Sequence, residues 1–267
     1  MSTVNAHPGL CVRGLRKTFF GGTVQEKTVL NGVSFSLQSG EFAVLVGSNG
    51  AGKSTTINAV AGDLLVDEGQ IFISELNVTS LPAYKRAHAI ARVFQDPMKG
   101  TAAALSIYEN LALADQRGRR RGLRLGLSKA KVDRFRASLS VLGLGLENRL
   151  KDHVSQLSGG QRQSLTLIMA TLNEPQILLL DEHTAALDPR AAELVMKASL
   201  EAIRRSGAAT LMVTHNMEHA VNYGDRLLMM HDGKIIFDLN SVAKAKTTAA
   251  ELVERFHHVI SDRMMFA

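Results

Sequence analysis

The chain has 267 residues, 45% of them hydrophobic and 21% charged, with a net charge of +6 and one cysteine. This is the composition of an ordinary soluble globular protein, with enough apolar residues for one large or two small domains. No apolar run approaches the roughly 18 residues that span a bilayer, and the first residues lack the features of an export signal. We therefore expect residence in the cytosol, with Cys11 in a buried strand and no internal disulfide.

The positive charge is concentrated in one segment, residues 117–136, called here the basic segment. It holds nine basic residues and one acid. A solvated helix face with a flexible lead-in is the first interpretation, and contact with anionic lipid headgroups is the second. Nucleic acid is less favoured, because the single aromatic residue, Phe135, fits an apolar helical stripe and base stacking has little support.

Early apolar runs predict three strands and a helix. Residues 10–19 and 30–37 flank the loop sequence GGTVQEK and are expected at an antiparallel edge. Residues 41–46, EFAVLV, form a continuous apolar run that is typical of a strand covered on both faces. The sequence TTINAVAGDLL, which begins at Thr55, predicts a helix that ends near Gly62.

The middle of the chain, between Pro97 and Gln156, is predicted to be helical. Ser128 can cap a helix that Gly143 closes, and its apolar residues recur at spacings of three and four: Val132, Phe135, Leu139 and Leu142. This pattern indicates a helical insertion.

The last third of the chain returns to strands. Residues 177–180 and 210–213 are short apolar runs that indicate buried parallel strands. Residues 226–239 carry HDGK between two apolar runs, which predicts a tight hairpin. The tail, residues 241–267, is interpreted as a short amphipathic helix.

A phosphate-binding loop follows the third predicted strand. The sequence GSNGAGKST fits G-x-x-x-x-G-K-[ST] between a strand and a helix, the context that makes this motif specific. Its glycines let backbone N–H groups converge on phosphate, Lys53 adds a point charge near the β and γ phosphates, and Ser54 can hold magnesium. The candidate phosphate-binding residues are Gly47, Ser48, Asn49, Gly50, Ala51, Gly52, Lys53, Ser54 and Thr55.

Polar residues at three other strand ends complete a candidate hydrolytic site. Asp181 is placed to hold magnesium, and Glu182 to orient or deprotonate the attacking water. Gln95, after the apolar run ARVF, can reach magnesium or water with its amide oxygen. His215, after TLMV, can hydrogen-bond a γ-phosphate. The alternative is that its ring forms hydrogen bonds only with neighbouring groups of the protein, as histidines at strand ends often do.

These motifs in this order, GSNGAGKST, Gln95, LSGGQ, LLLDE, AALD and His215, resemble the ATP-binding subunits of ABC transporters over nearly the whole chain. The resemblance implies an α/β fold with a P-loop NTPase core and a mainly parallel sheet, an antiparallel β subdomain and a helical insertion. It implies one ABC ATP-binding domain over residues 1–267, with a catalytic core at about 8–95 and 173–240, a helical subdomain at about 96–172 and a tail at 241–267.

By the same resemblance, the ligands are ATP and Mg²⁺, and LSGGQ is the signature that contacts ATP held on a partner subunit. The signature precedes a helix with an apolar stripe and thus forms a second helix N-terminus directed at phosphate. Two copies head to tail would enclose two ATP molecules. The signature residues are Ser158, Gly159, Gly160 and Gln161, and the stripe residues are Leu165, Ile168 and Leu172.

Two further roles come from the resemblance. Phe19 would stack on adenine, with Phe20 as the alternative and burial in the first sheet as the competing interpretation of either residue. Asp188, in AALD, would lie at the dimer interface near the opposing site.

Two departures from the commonest family pattern are the loop GGTVQEK and His183, which stands where proline is usual. They resemble a bacterial subgroup whose permeases work with a separate extracytoplasmic binding protein, for aromatic amino acids or related small molecules. His183 either modulates the site or takes the structural place of the proline, and the second is favoured.

The resemblance implies an ATPase subunit on the cytoplasmic face of the bacterial inner membrane that is expected to form a homodimer and that powers a separate permease for import. Residues 96–111 would form the groove that receives the permease, and no nucleic acid is expected. One alternative is a soluble ABC-type ATPase that acts on nucleic acid or ribosomes through the basic segment. Another is a catalytically dead regulatory cassette, against which the intact Lys53, Asp181, Glu182 and His215 argue.

Overall fold

The structure, a computed structural model, describes residues 8–118 and 128–255. Within these residues the strands form one sheet of order β2-β1-β4-β5 and a second of order β10-β9-β3-β8-β7-β6. The strands are β1 (Leu10–Phe19), β2 (Lys27–Leu37), β3 (Phe42–Gly47), β4 (Glu68–Ile73), β5 (Leu76–Asn77), β6 (Ile90–Val93), β7 (Ile177–Asp181), β8 (Ala209–Val213), β9 (Arg226–His231) and β10 (Lys234–Leu239).

The helices lie between and after these strands. They are α1 (Lys53–Ala61), α2 (Ala83–Arg86), α3 (Ile107–Asp115), α4 (Lys129–Ser140), α5 (Gly159–Thr171), α6 (Pro189–Ser206), α7 (Met217–Asn222) and α8 (Ser241–Lys244), with 3₁₀ turns at Pro97–Gly100, Leu146–Asn148 and Val154–Gln156. None of the helices formed by residues 8–118 and 128–255 combines the length and apolar character needed to span a membrane.

The strand predictions are confirmed. The first sheet is antiparallel throughout, whereas β3 pairs in parallel with both β8 and β9, and β7 in parallel with β6 and β8. The predicted hairpin is the antiparallel pair β9–β10, which turns at Asp232 and Gly233. Cys11 is buried in β1, as expected.

The second sheet is covered on both faces. In β3, Ala43 and Leu45 belong to a hydrophobic cluster with α1 and the first sheet, whereas Val44 and Val46 belong to another with α6. Every residue of β3 is buried because successive side chains enter opposite clusters. The continuous apolar run therefore follows from helices packed on both sides of the sheet.

A third hydrophobic cluster lies among α3, α4 and α5. It includes the fully buried Phe135 and Leu139 of α4 and Leu165 of α5, as the helical spacing predicted. Ser128 caps α4, because its Oγ accepts a hydrogen bond from the Lys131 backbone N–H. The predicted helical insertion is thus present, with its own apolar core.

The interpretation of the basic segment as a solvated helix face is corrected for three of its residues, Arg117, Lys131 and Arg134. Residues 119–127, including the arginines at 119–121, lie outside the described residues. Arg117 donates to the carbonyl of Ala170 at 2.7 Å, and Lys131 and Arg134 pair with the buried Asp115 at 3.1 and 2.8 Å. These three cations hold helices together, so they are not a freely solvated face.

The prediction of one helix in the tail is wrong. Helix α8 ends at Lys244, and a second helical stretch covers residues 249–255. Thr248 begins it, because Thr248 and Glu251 exchange backbone-to-side-chain hydrogen bonds at 2.9 and 3.2 Å. This reciprocal capping box divides the tail, and residues 256–267 lie outside the described residues.

Candidate active site

The strand order brings four distant motifs to one edge of the second sheet. β3, β8, β7 and β6 are consecutive parallel neighbours, so their carboxyl ends lie together. The phosphate loop follows β3, His215 follows β8, Asp181 and Glu182 follow β7, and Gln95 follows β6. In parallel α/β sheets this edge is where ligands bind.

The phosphate loop leaves the N-terminus of α1 without a side-chain cap. Gly52 occupies the N-cap position with φ +105°, and a Cβ added there would lie 2.7 Å from the carbonyl oxygen of Val29. The first turn of α1 also contains no acidic residue. The orphan N–H groups of this helix are therefore available to an external anion, and the helix dipole favours one.

Lys53 is held inside the loop. Its side chain is buried, and Nζ donates hydrogen bonds to the carbonyl oxygens of Gly47 at 2.7 Å and Ser48 at 2.9 Å. Burial lowers the pKa of Lys53, while the charges of Glu182 and Asp181 act in the opposite direction. A phosphate in the loop would give this ammonium a charged acceptor in place of the carbonyls.

Glu182 and His215 come together at the ends of β7 and β8. Oε2 of Glu182 lies 3.3 Å from Nδ1 of His215, and the Glu182 backbone N–H donates to Val213. Glu182 has φ +45°, a left-handed conformation that costs a non-glycine residue on the order of 1–3 kcal/mol and is common at functional sites. His215 is largely exposed, so its ring can reach a ligand as well as Glu182.

Asp181 contacts a residue that the sequence interpretation missed. Its Oδ2 accepts a hydrogen bond from Nη2 of Arg92, in β6, at 2.6 Å. The only sequence signal was a charged residue inside the apolar run ARVF.

The signature loop lies against the start of α6. Ser158 and Gln161 form a capping box, in which Ser158 Oγ accepts from the Gln161 N–H while its own hydroxyl proton can donate elsewhere. A Cβ added to Gly160 would lie 2.9 Å from Cβ of Ala191 in α6. Asp188 caps α6, with Oδ1 accepting from the Ala191 N–H at 3.0 Å. Two predicted partner-facing elements are therefore neighbours.

Gln163, also missed, links the signature helix to the strand that precedes Gln95. It is fully buried in α5, and Nε2 donates to the carbonyl of Phe94 at 2.9 Å. Gln95 itself is exposed and precedes the 3₁₀ turn that Asp96 caps.

Of the two candidate adenine-stacking residues, Phe19 is the last residue of β1 and Phe20 follows it. Phe19 is half-buried with Nζ of Lys17 at 5.8 Å from the ring centroid, and Phe20 is 65% exposed with φ +55°. Either ring therefore has a surface that a planar ligand can contact.

His183 is buried behind the site, which supports the structural interpretation. Its Nε2 lies 2.8 Å from Oγ of Ser199, whose hydroxyl donates to Val195. Nε2 must therefore carry the proton. Burial and the nearby His219 lower the pKa of His183 to about 4.

The donor set fits magnesium. Ser54, Gln95 and Asp181 offer hydroxyl, amide and carboxylate oxygens, the hard ligands that Mg²⁺ prefers alongside water and substrate phosphates. No cluster of three His, Cys, Asp or Glu side chains that could hold a metal occurs in residues 8–118 and 128–255. With one carboxylate among Ser54, Gln95 and Asp181, magnesium here would bind together with nucleotide phosphates.

Sequence comparisons identify the family and relatives of this chain. A family model described as ABC transporter matches residues 30–185. The tyrosine transport ATP-binding protein of Clostridioides difficile (strain R20291) is 40% identical over 251 residues, which cover 94% of this chain and all of that protein. The phosphate import ATP-binding protein PstB of Aeropyrum pernix is 31% identical over 80% of this chain and 85% of its own.

Solved structures agree as well. A dimeric ATP-binding cassette in a post-hydrolysis state, bound to ADP and Pi, is 26% identical and has a TM-score of 0.73, with 87% of this chain and 98% of that chain covered. The family match spans more than half of this chain, and the fold agrees with it. The chain therefore belongs to the ABC transporter family, as an ATP-binding and ATP-hydrolysing subunit.

Proposed function

We propose that this subunit powers the import of an aromatic amino acid or a related small molecule. The observation that carries the substrate class is the 40% identity to a tyrosine transport ATP-binding protein along that protein's full length. The sequence DEHTAALDP supports it. The subunit acts through a separate permease, from the cytoplasmic face of the bacterial inner membrane, and an extracytoplasmic binding protein supplies the solute.

Each site residue has a chemical task in this proposal. Lys53 and the N–H groups at the start of α1 bind the β and γ phosphates. Ser54, Gln95 and Asp181 hold Mg²⁺, which neutralises developing charge on the phosphate oxygens when it is bound. Glu182 orients the attacking water and accepts its proton, and His215 positions Glu182 from 3.3 Å and donates to the γ-phosphate.

A second copy completes the nucleotide site. The uncapped N-terminus of α1 binds phosphate from one side, and the N-terminus of α5, with Ser158, binds it from the partner. Asp188 lies beside the signature loop at the same interface. The dimeric cassette with ADP and Pi supports this arrangement.

An open groove on the helical side supports the permease contact. It is lined in part by Phe94, Leu105 and Tyr108, and exposed apolar side chains of Tyr84 and Leu113 border it. Phe94, which lines the groove, directly precedes Gln95 in the chain, and Lys99 and Gly100 line it too, so a permease helix seated there would contact the segment that follows Gln95.

The test is affinity purification of the tagged chain from detergent-solubilised membranes of its host. We expect a polytopic permease to co-purify, and the reconstituted complex to hydrolyse ATP faster when its binding protein carries tyrosine. Glu182→Gln, carried through the same purification, should retain the permease and lose the stimulated activity. Stimulation by an unrelated solute alone would overturn the substrate class, and ribosomes or nucleic acid without a permease would overturn the transport role.

A further inference from the structure

The Arg92 guanidinium forms two ion pairs at the edge of the nucleotide site. Nη2 donates to Oδ2 of Asp181 at 2.6 Å, and Nη1 donates to Oδ2 of Asp63 at 2.8 Å. The side chains of Arg92 and Asp181 are only 13% and 16% exposed, so solvent screens this pair weakly.

The backbone and an aromatic ring fix the position of Arg92. It lies in β6 opposite Leu179 of β7, and its guanidinium carbon lies 4.6 Å from the centroid of the Phe94 ring. Asp63 follows Gly62, the C-cap of α1, so the arginine also ties the end of the phosphate-loop helix to β7. Charge-assisted hydrogen bonds of this length are among the stronger polar contacts in proteins.

Asp181 is thus paired with the cationic Arg92, although the same carboxylate is expected to bind a second cation, magnesium. Arg92 occupies Oδ2 of Asp181, which leaves Oδ1 as the oxygen for metal or metal-bound water. A fixed positive charge that is hydrogen-bonded to a metal-binding carboxylate would oppose the binding of a divalent ion there and favour an anionic phosphate.

We propose that Arg92 is a positioning residue that holds Asp181 through Oδ2 and keeps the affinity of the nucleotide-free site for divalent metal low, so that metal enters with ATP. This inference rests on the proposed role of Asp181 as a magnesium ligand. It adds a residue that acts on the metal through Asp181, without a contact of its own to the nucleotide.

The test compares Arg92→Met, which removes the charge and retains much of the side-chain volume, with Arg92→Lys, which keeps the charge. Mn²⁺ serves as the metal probe, and its binding to the nucleotide-free protein is followed by electron paramagnetic resonance. Isothermal titration gives ATP affinity with Mg²⁺ and with EDTA. Asp63→Asn is the matched control, because it removes the other ion pair and leaves the Arg92–Asp181 contact.

We expect Arg92→Met to bind Mn²⁺ about tenfold more tightly than the unmodified protein and to bind ATP more weakly in EDTA. Arg92→Lys and Asp63→Asn should stay near the unmodified protein in Mn²⁺ affinity. Unchanged or weaker Mn²⁺ binding by Arg92→Met, with its thermal unfolding still cooperative, would overturn the inference. If Arg92→Met does not fold, Arg92→Gln replaces it with the same expected result.

The two proposals fail differently. If the unmodified protein binds Mg²⁺-ATP but Arg92→Met binds Mn²⁺ with the same affinity as the unmodified protein, only the role of Arg92 is wrong. If the unmodified protein binds no Mg²⁺-ATP, the proposed function is wrong as well.

Discussion

The buried His183 makes the stability of the fold depend on pH. Its pKa is about 4 in the folded protein, against 6.5 for an ordinary histidine, because burial opposes the charged form and His219 lies nearby. The unfolded chain therefore takes up a proton between these values, whereas the folded protein does not. Stability from this group is fully present above about pH 6.5 and is lost as the pH falls toward 4.

The size of the effect follows from the two pKa values. Between about pH 7.5 and about pH 5, proton uptake by the unfolded chain lowers the free energy of unfolding by about 2 kcal/mol. His183→Gln removes this titration and can still donate a hydrogen bond to Oγ of Ser199. We therefore expect the variant to lose about 2 kcal/mol less than the unmodified protein over the same change in pH.

Urea unfolding at the two pH values, followed by circular dichroism without nucleotide, measures this difference. His88→Gln is the matched control, because it replaces a histidine by glutamine at an exposed position. Equal losses of stability in the unmodified protein and in His183→Gln would refute the assignment of a neutral, buried His183.

Two further predictions concern nucleotide binding and dimer formation. Lys53→Ala should weaken ATP binding by roughly 10- to 100-fold, because a charge-assisted hydrogen bond contributes about 1.5–3 kcal/mol; calorimetry tests this, and unchanged affinity would contradict the phosphate contact. Gly160→Ala places a Cβ 2.9 Å from Cβ of Ala191 and should impair ATP-driven dimer formation without affecting ATP binding by the monomer. Sedimentation experiments with Mg²⁺-ATP measure this, and unchanged dimer formation by Gly160→Ala would contradict the role of that close approach.

The parallel strands and the motifs between them were predictable because both depend on local sequence. Residues 42–46, FAVLV, are all apolar because β3 packs against a hydrophobic cluster on each face, and the backbone of the phosphate loop requires its glycines. Because β3, β8, β7 and β6 are parallel neighbours, the motifs that follow these strands lie at one edge of the sheet.

The misses concern contacts between residues that are distant in sequence. Arg92 is a charged residue inside the apolar run ARVF, and its acceptor Asp181 lies 89 positions further along the chain. Arg117 and Arg134 looked like parts of a solvated charge cluster, yet their acceptors are carbonyls near the end of the signature helix. The division of the tail is local instead, because Thr248 and Glu251 have the T-x-x-E spacing of a capping box.

The central claim is that two copies of this chain enclose ATP between the phosphate loop of one and the signature of the other. Glu182→Gln tests it most directly, because this variant should bind Mg²⁺-ATP and fail to hydrolyse it. Light scattering coupled to size exclusion should give twice the 28.9 kDa mass of one chain with Mg²⁺-ATP, and a single chain with ADP. A variant that binds ATP and remains a monomer would contradict the account.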